Sequence, residues 1–301
     1  MREMPLLAVA VLAGFLAACT GRPAPAEFVA AATISPLADM VARVAGPDWT
    51  VATIIPPGTS PHVFEPTPRQ VLLVAPARLV VTVGAGYDGW AGKLAAACAS
   101  GARIFDAGKA AGIEAPPAGG VAHGEHAHGD LGHDPHWWLS PPLVARTLPA
   151  LAAELSAIDP AGAAGYRDRA AAFAAGLSLL DAEIAESLKP VSGAAVVTSH
   201  NAWAYFADRY GLKSVAAIEP MPGREPSPRE IGALIVTARR EGIRTLFSEP
   251  QFPPDVARVV AREAGLKVAI VDPIGGFPGR LGYEELLRFN ARAFREGLGA
   301  P

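Results

Sequence analysis

The histidines of this chain are distributed very unevenly. Five of the seven lie within residues 123–136, and the other two, His62 and His200, each stand just after a short β-branched run. Imidazole is the commonest protein ligand for borderline divalent metals, Zn2+ above all. The distribution therefore predicts a metal-binding protein, and it leaves open whether the metal is used in catalysis or is carried.

The clustered histidines divide into two groups according to their neighbours. His136 is followed by Trp137 and Trp138, which places it beside ordered, buried structure. The others alternate with glycine and acidic residues, a composition typical of a solvated loop, which we assign to residues 119–134. We expect this loop to bind metal weakly through four side chains: His123, His126, His128 and His133.

Three other candidate ligands follow predicted strands. His62, His200 and Asp272 come after runs of β-branched residues, and ligands of open α/β sheets bind at the carboxyl ends of strands. With His136 they make three imidazoles and one carboxylate, a four-coordinate set that suits zinc. Each also has an ordinary alternative, because a lone histidine is commonly a hydrogen-bonded structural group and Asp before Pro commonly starts a turn.

The elements that must position these side chains alternate regularly along the chain. Short apolar runs separated by helical segments predict an α/β fold with two parallel sheets, each of four strands and flanked by helices. The predicted strands of the first half are residues 28–33, 50–55, 79–83 and 103–105. Those of the second half are residues 194–199, 213–218, 244–248 and 267–271.

One long helix is predicted over residues 161–190, between a first lobe (28–160) and a second lobe (191–301). Its large apolar residues recur at spacings of three, four and seven and form a single stripe. A helix of this length extends roughly 40 Å and would act as a rigid strut. Two shorter helices with a break at Gly176 are the alternative. The stripe consists of Tyr166, Phe173, Leu177, Leu180, Ile184 and Leu188.

The chain begins with a segment typical of export. Residues 6–18 are uncharged, too short to span a bilayer, and suit the apolar part of a signal peptide. The following Cys19 closes a Leu-Ala-Ala-Cys sequence that resembles a bacterial lipobox. We therefore expect a signal peptide over residues 1–18 and a lipidated tether over residues 19–27, a buried N-terminal helix being the alternative. Cys98 then has no partner, and we expect no disulfide.

Composition and motifs exclude several functions. A net charge of −3 gives no basic field for nucleic acid. The sequence GAGYDG at Gly84 imitates a dinucleotide-binding turn, but it follows the third predicted strand rather than the first, in a chain whose first residues are typical of export. A secreted zinc hydrolase is a distant alternative, because no His-Glu-x-x-His helix is present and four separated ligands suit carriage better than catalysis. We expect a receptor, not an enzyme.

Six segments, in order, resemble the zinc- and manganese-specific solute-binding proteins of bacterial ABC importers. Three of them carry the histidines: SPHVFEPTP from Ser60, DPHWWLS from Asp134 and TSHNAWAYF from Thr198. The other three are REPSP from Arg224, SEPQF from Ser248 and DPIG from Asp272. The resemblance covers essentially the whole mature chain.

The resemblance implies two α/β lobes joined by one long helix, with the metal in the cleft. It implies His62, His136 and His200 as ligands and Asp272 as the usual fourth, with water or another carboxylate as the alternative in zinc-type members, and Glu249 as part of a structural motif. Manganese-type members tend to carry Glu where this chain has His200, and a nitrogen ligand favours Zn2+. We therefore expect a monomeric, lipid-anchored periplasmic zinc receptor that serves a membrane permease, with a manganese receptor as the alternative.

Overall fold

The structure, a computed structural model, describes residues 28–98, 101–114, 134–219 and 223–300. The predicted signal peptide and tether, with Cys19, lie outside the described residues, as do the four histidines of the predicted weak-binding loop. The described chain forms two four-stranded parallel sheets flanked by helices, so the predicted fold class is confirmed.

The first sheet has the strand order β2-β1-β3-β4. Its strands are β1 (Phe28–Ala32), β2 (Trp49–Thr53), β3 (Leu79–Thr82) and β4 (Arg103–Asp106). The helices between and after them are α1 (Ser35–Ala45), α2 (Pro68–Val74), α3 (Gly89–Ala97) and α4 (Ala107–Ala111). The central strands β1 and β3 are almost entirely buried and, apart from Thr82, apolar, as expected for parallel strands with helices on both faces of the sheet.

The second sheet repeats this order as β6-β5-β7-β8. Its strands are β5 (Ala195–His200), β6 (Lys213–Glu219), β7 (Thr245–Ser248) and β8 (Lys267–Ile270). Its helices are α7 (Ala204–Tyr210), α8 (Pro228–Arg240), α9 (Pro254–Ala264) and α10 (Tyr283–Gly297). The ring centroids of His62, in the loop after β2, and His200, at the end of β5, are 5.3 Å apart, so the carboxyl ends of these strands face one cleft.

Two helices, α5 (Pro141–Ile158) and α6 (Ala163–Leu188), lie between the sheets in the sequence and pack against each other. The α6 helix has 26 residues without a break at Gly176, so the single-helix prediction is correct. All six residues of its predicted apolar stripe are buried. It runs about 40 Å, long enough to contact both lobes.

Polar contacts attach α6 to both lobes. Near its start, the Tyr166 hydroxyl accepts a hydrogen bond of 2.9 Å from the Trp49 indole of the first lobe. The Arg169 guanidinium donates to the last carbonyls of α1, at Val44 and Ala45. Further along, the buried Asp181 carboxylate pairs with Arg209 of α7 in the second lobe. The helix is therefore fixed at both ends rather than free to hinge.

The lobes also contact each other directly at Trp138. Its indole nitrogen donates to the Pro273 carbonyl at 2.7 Å, and its own carbonyl accepts from the Tyr283 hydroxyl at 2.7 Å. Trp138 and Tyr283 are almost fully buried. Because buried polar groups are costly to leave unpaired, opening the cleft by more than a small rocking would break these bonds at a substantial cost in free energy.

Within the described parts of the chain, no helix is both long enough and apolar enough to span a bilayer.

Candidate metal centre

Three histidines come together where the two lobes meet. His62 lies in a 3-10 turn, Pro61–Val63, in the loop after β2. His136 precedes a second such turn, Trp137–Leu139, which leads into α5. His200 is the last residue of β5. His136 and His200 are buried and His62 is half-buried, so the first lobe contributes two imidazoles and the second lobe contributes one.

Two of the spacings between the imidazole nitrogens match those of a tetrahedral metal site. The Nε2 atoms of His62 and His136 are 3.2 Å apart, and those of His136 and His200 are 3.3 Å apart. With Zn–N bonds of about 2.05 Å and tetrahedral angles, two ligand nitrogens lie about 3.3 Å apart. Among the described residues, these three histidines are the group whose ligand atoms all lie within 4.8 Å of one another. Zinc would fit between them with little rearrangement.

Two carboxylates contact two of the imidazoles on the Nδ1 side of the ring. Glu249 Oε2 lies 2.5 Å from the Nδ1 atom of His200. Asp134 Oδ1 lies 2.7 Å from the Nδ1 atom of His136 and also accepts from the His136 backbone N–H. The hydrogen bond between Asp134 and His136 places the proton on Nδ1 and leaves the Nε2 lone pair for a metal, whereas Glu249 is an ion-pair neighbour of His200. This arrangement is the usual support of a metal-binding histidine.

Aromatic rings close the other sides of the site. Tyr87 packs edge-on against His62, with ring centroids 4.8 Å apart, and against His136 at 5.7 Å. Trp138 contacts His136, and Phe252 contacts His200. Burial raises the pKa of Tyr87 well above its usual range, and the charges of nearby carboxylates act in the same direction. Tyr87 is therefore a neutral phenol at neutral pH.

Asp272, the predicted fourth ligand, is not part of the histidine group. Its carboxylate is fully buried and its Oδ2 atom pairs with Arg280 Nε at 2.8 Å. Its Oδ1 atom accepts from the Gln251 amide at 2.9 Å and from the backbone N–H groups of Ile274 and Gly275 at 3.1 and 2.9 Å. Both oxygens thus have partners within the second lobe, and the turn that follows β8 depends on them.

The glycine-rich turn that imitates a dinucleotide-binding sequence serves a different purpose. Gly84 and Gly86 have positive φ angles, and the turn is closed by the buried Asp88 carboxylate, which accepts from the N–H groups of Val83 and Gly84 at 2.6 and 3.1 Å. Burial raises the pKa of Asp88 to about 6. The N–H groups that would bind a pyrophosphate already have an acceptor. The turn instead places Tyr87 against the histidines.

The sequence indicated the three histidines but not their supports. Glu249, which the resemblance places in a structural motif, contacts the His200 side chain. Asp134 lies at the end of the predicted loop, but its position two residues before His136 is typical of a local hydrogen bond from side chain to backbone. Glu249 could not be linked to His200 from sequence, because 49 residues separate them.

Comparison with known proteins places the chain among zinc-uptake components. Residues 30–297 match the family described as ZnuA, zinc-uptake complex component A, periplasmic. The zinc-binding lipoprotein AdcA of Streptococcus pneumoniae serotype 4 is 30% identical over 285 residues, 91% of this chain and 56% of that protein. The zinc-binding protein AdcA of Streptococcus pyogenes serotype M3 is 27% identical over 256 residues, 81% of this chain and 50% of that protein. The chain spans about half the length of these curated relatives.

Solved structures share the whole architecture. A crystal structure of ZnuA has a TM-score of 0.77 and 28% identity, and the match covers 90% of this chain and 99% of that one. The laminin-binding protein Lmb of Streptococcus agalactiae is described as bifunctional, with adhesin and metal-transporting activity. Its TM-score is 0.75 at 27% identity, again over 90% of this chain and 99% of that one.

Proposed function

This chain belongs to the ZnuA family of periplasmic zinc-uptake components, and we propose that it is an extracytoplasmic receptor that binds Zn2+ tightly and delivers it to an ABC import permease. The observation that carries the proposal is the convergence of three imidazoles: the Nε2 atoms of His62 and His200 lie 3.2 and 3.3 Å from that of His136, and the ligand atoms of all three lie within 4.8 Å of one another. An all-imidazole face favours Zn2+ over Mn2+, because nitrogen donors suit zinc and manganese prefers oxygen.

We propose His62, His136 and His200 as the protein ligands and water in the fourth position. Asp272 is the other candidate for that position, but it would have to give up Arg280 and three further hydrogen bonds to reach the metal. A buried carboxylate with a charged partner is costly to separate from it. A water molecule needs no such exchange and can be lost easily when the metal is transferred.

The position of the ligands suggests how the cargo is held and released. The metal draws two imidazoles of the first lobe and one of the second onto a single ion, so it stabilises the closed cleft by its differential affinity for that state. A permease that separates the lobes slightly would remove His200 from the shell and weaken binding. The rigid α6 helix and the contacts of Trp138 keep this motion small.

The remaining predictions from sequence complete the proposal. Acylation of Cys19 would attach the receptor, as a monomer, to the envelope membrane on the periplasmic side. The tether would be residues 19–27 and the lobes residues 28–160 and 191–301, with the linking helix within 161–190. The loop of residues 119–134 would supply weak additional metal sites beside the main one, because flexible ligands lose conformational entropy on binding.

A competition titration tests the proposal. Metal-stripped protein is titrated with Zn2+, Mn2+ and Ni2+ against a chelator of known affinity, and His136→Ala serves as the matched variant because His136 contacts both other imidazoles. We expect one tight Zn2+ equivalent, far weaker Mn2+ binding, and loss of the tight equivalent in the variant. Tighter Mn2+ than Zn2+ binding would contradict the zinc assignment.

A further inference from the structure

Glu249 is an unusual residue for a protein interior. Its side chain is completely buried, and within the described residues its ion-pair partner is the His200 imidazole. Its Oε1 atom accepts from the Trp203 indole at 3.1 Å and from the His200 backbone N–H at 3.4 Å. These polar contacts of its side chain are therefore all with the segment of chain that carries one metal ligand. No arginine or lysine of the described residues pairs with it.

A buried carboxylate is costly unless a positive charge compensates it. A neutral imidazole offers a hydrogen bond but no charge. When a divalent metal binds the opposite nitrogen of that imidazole, the positive charge arrives one ring away from Glu249. Asp134 likewise lies on the Nδ1 side of His136, where the two side chains form a hydrogen bond of 2.7 Å. Two carboxylates thus face a dication through two imidazoles.

We propose that Glu249 is a positioning residue that supplies the charge balance of the zinc site. Its Oε2 atom lies 2.5 Å from Nδ1 of His200, on the side of the ring away from Nε2, and its Oε1 atom accepts from the His200 backbone N–H, so it holds that residue in place. Its negative charge, with that of Asp134, would offset the charge of the ion without contacting it. This inference rests on the proposed zinc-binding function. It explains how a shell of three neutral imidazoles can bind Zn2+ tightly while Asp272 remains with Arg280.

The proposal separates two properties that a ligand carboxylate would combine. A carboxylate that contacts the metal contributes an oxygen donor, so its removal alters both affinity and the preference among metals. A carboxylate behind an imidazole contributes charge that every divalent ion experiences equally. Its removal should therefore lower the affinities for Zn2+ and Co2+ together and leave their ratio unchanged.

The experiment uses Glu249→Gln in the metal-stripped, full-length protein, since glutamine keeps the shape and a carbonyl acceptor but has no charge. Asp134→Asn is the second variant, at a less buried position, should Glu249→Gln fail to fold. Asp181→Asn is the matched control, because Asp181 is a buried carboxylate bound to Arg209 and Tyr210. Affinities for Zn2+ and Co2+ are measured by chelator competition, together with the visible spectrum of bound Co2+.

We expect either variant to lower the affinities for Zn2+ and Co2+ about 10- to 100-fold. The ratio of the two affinities should stay within about threefold of the wild-type ratio, and bound Co2+ should keep a tetrahedral spectrum. The control should bind both metals like the wild type even if its melting temperature falls. This inference would be overturned if Glu249→Gln and Asp134→Asn bound both metals as tightly as the wild type. The proposed function would still stand if the wild type bound zinc tightly and His136→Ala did not. A changed metal ratio with an altered Co2+ spectrum would also overturn the inference, by making Glu249 a ligand. A wild type without a tight zinc site would overturn both.

Discussion

Replacement of Asp272 by Asn distinguishes a zinc ligand from a structural carboxylate. In the structure this carboxylate pairs with the Arg280 guanidinium, whose side chain is only 16% exposed. The guanidinium also lies over the rings of Phe277 and Phe289, at 4.9 and 4.4 Å, so it cannot turn to solvent without losing these contacts. Asp272→Asn therefore leaves a largely buried cation without its anion.

The magnitude follows from these contacts. Removing one partner of a buried ion pair costs about 3–5 kcal/mol. Asparagine keeps an oxygen for the N–H groups of Ile274 and Gly275, and Arg280 is partly exposed, so we expect a loss of about 1–3 kcal/mol in the free energy of unfolding. For a chain of this size each kcal/mol lowers the melting temperature by roughly 2–4 °C. Zinc affinity should stay within about threefold of wild type, since we place water in the fourth position.

The assay combines thermal unfolding of the metal-stripped protein with zinc competition titration of the same samples. Arg280→Gln and the double variant complete a cycle, in which the double variant should recover part of the stability because neither charge is then left alone. His136→Ala is the reciprocal control, with lost zinc affinity and little loss of apoprotein stability. Asp272→Asn with unchanged stability and a zinc affinity lowered more than tenfold would refute the assignment and make Asp272 the fourth ligand.

His200→Glu should lower the affinity for Zn2+ and reduce the difference between the Zn2+ and Mn2+ affinities. Chelator competition between about pH 5.5 and 8 should also show a shallower pH dependence of Zn2+ binding. An unchanged zinc affinity would exclude His200 as a ligand. Burial raises the Asp88 pKa from 3.8 to about 6, so folding takes up a proton between these values. Its contribution to stability therefore falls by about 3 kcal/mol as pH rises through that window. Asp88→Asn should remove this term, measured as the pH dependence of the difference in unfolding free energy from wild type; a constant difference would contradict it. Deleting residues 124–132 should remove only weak zinc equivalents, and loss of the tight one would refute the division between loop and site. Cys19→Ser should abolish detergent partitioning of the processed protein, whereas a wild type confined to the soluble periplasmic fraction would argue against acylation.

The secondary structure could be predicted because its signals are local. Each predicted strand overlaps an observed one, since apolar β-branched runs between helical segments specify buried parallel strands. The apolar stripe of α6 likewise predicted its buried face. The helix α5 is harder to predict from the sequence, because Pro149 lies inside it and removes a backbone donor. Packing of α5 against α6 compensates for that interruption, and such packing cannot be recognised from the local sequence.

Sequence alone determined which residues could bind the metal. Histidine is scarce and chemically distinctive, and His62, His136 and His200 each follow or precede recognisable elements, so type and position made them candidates. The resemblance to metal-specific solute-binding proteins then selected them as ligands. Only the tertiary structure decided what surrounds them. Glu249 reaches His200 because β5 and β7 are adjacent strands, and Arg280 reaches Asp272 through the turn after β8. Carboxylates are common and can serve as ligands, supports or ion-pair partners, so their roles depend on distances that the fold sets and the sequence does not contain.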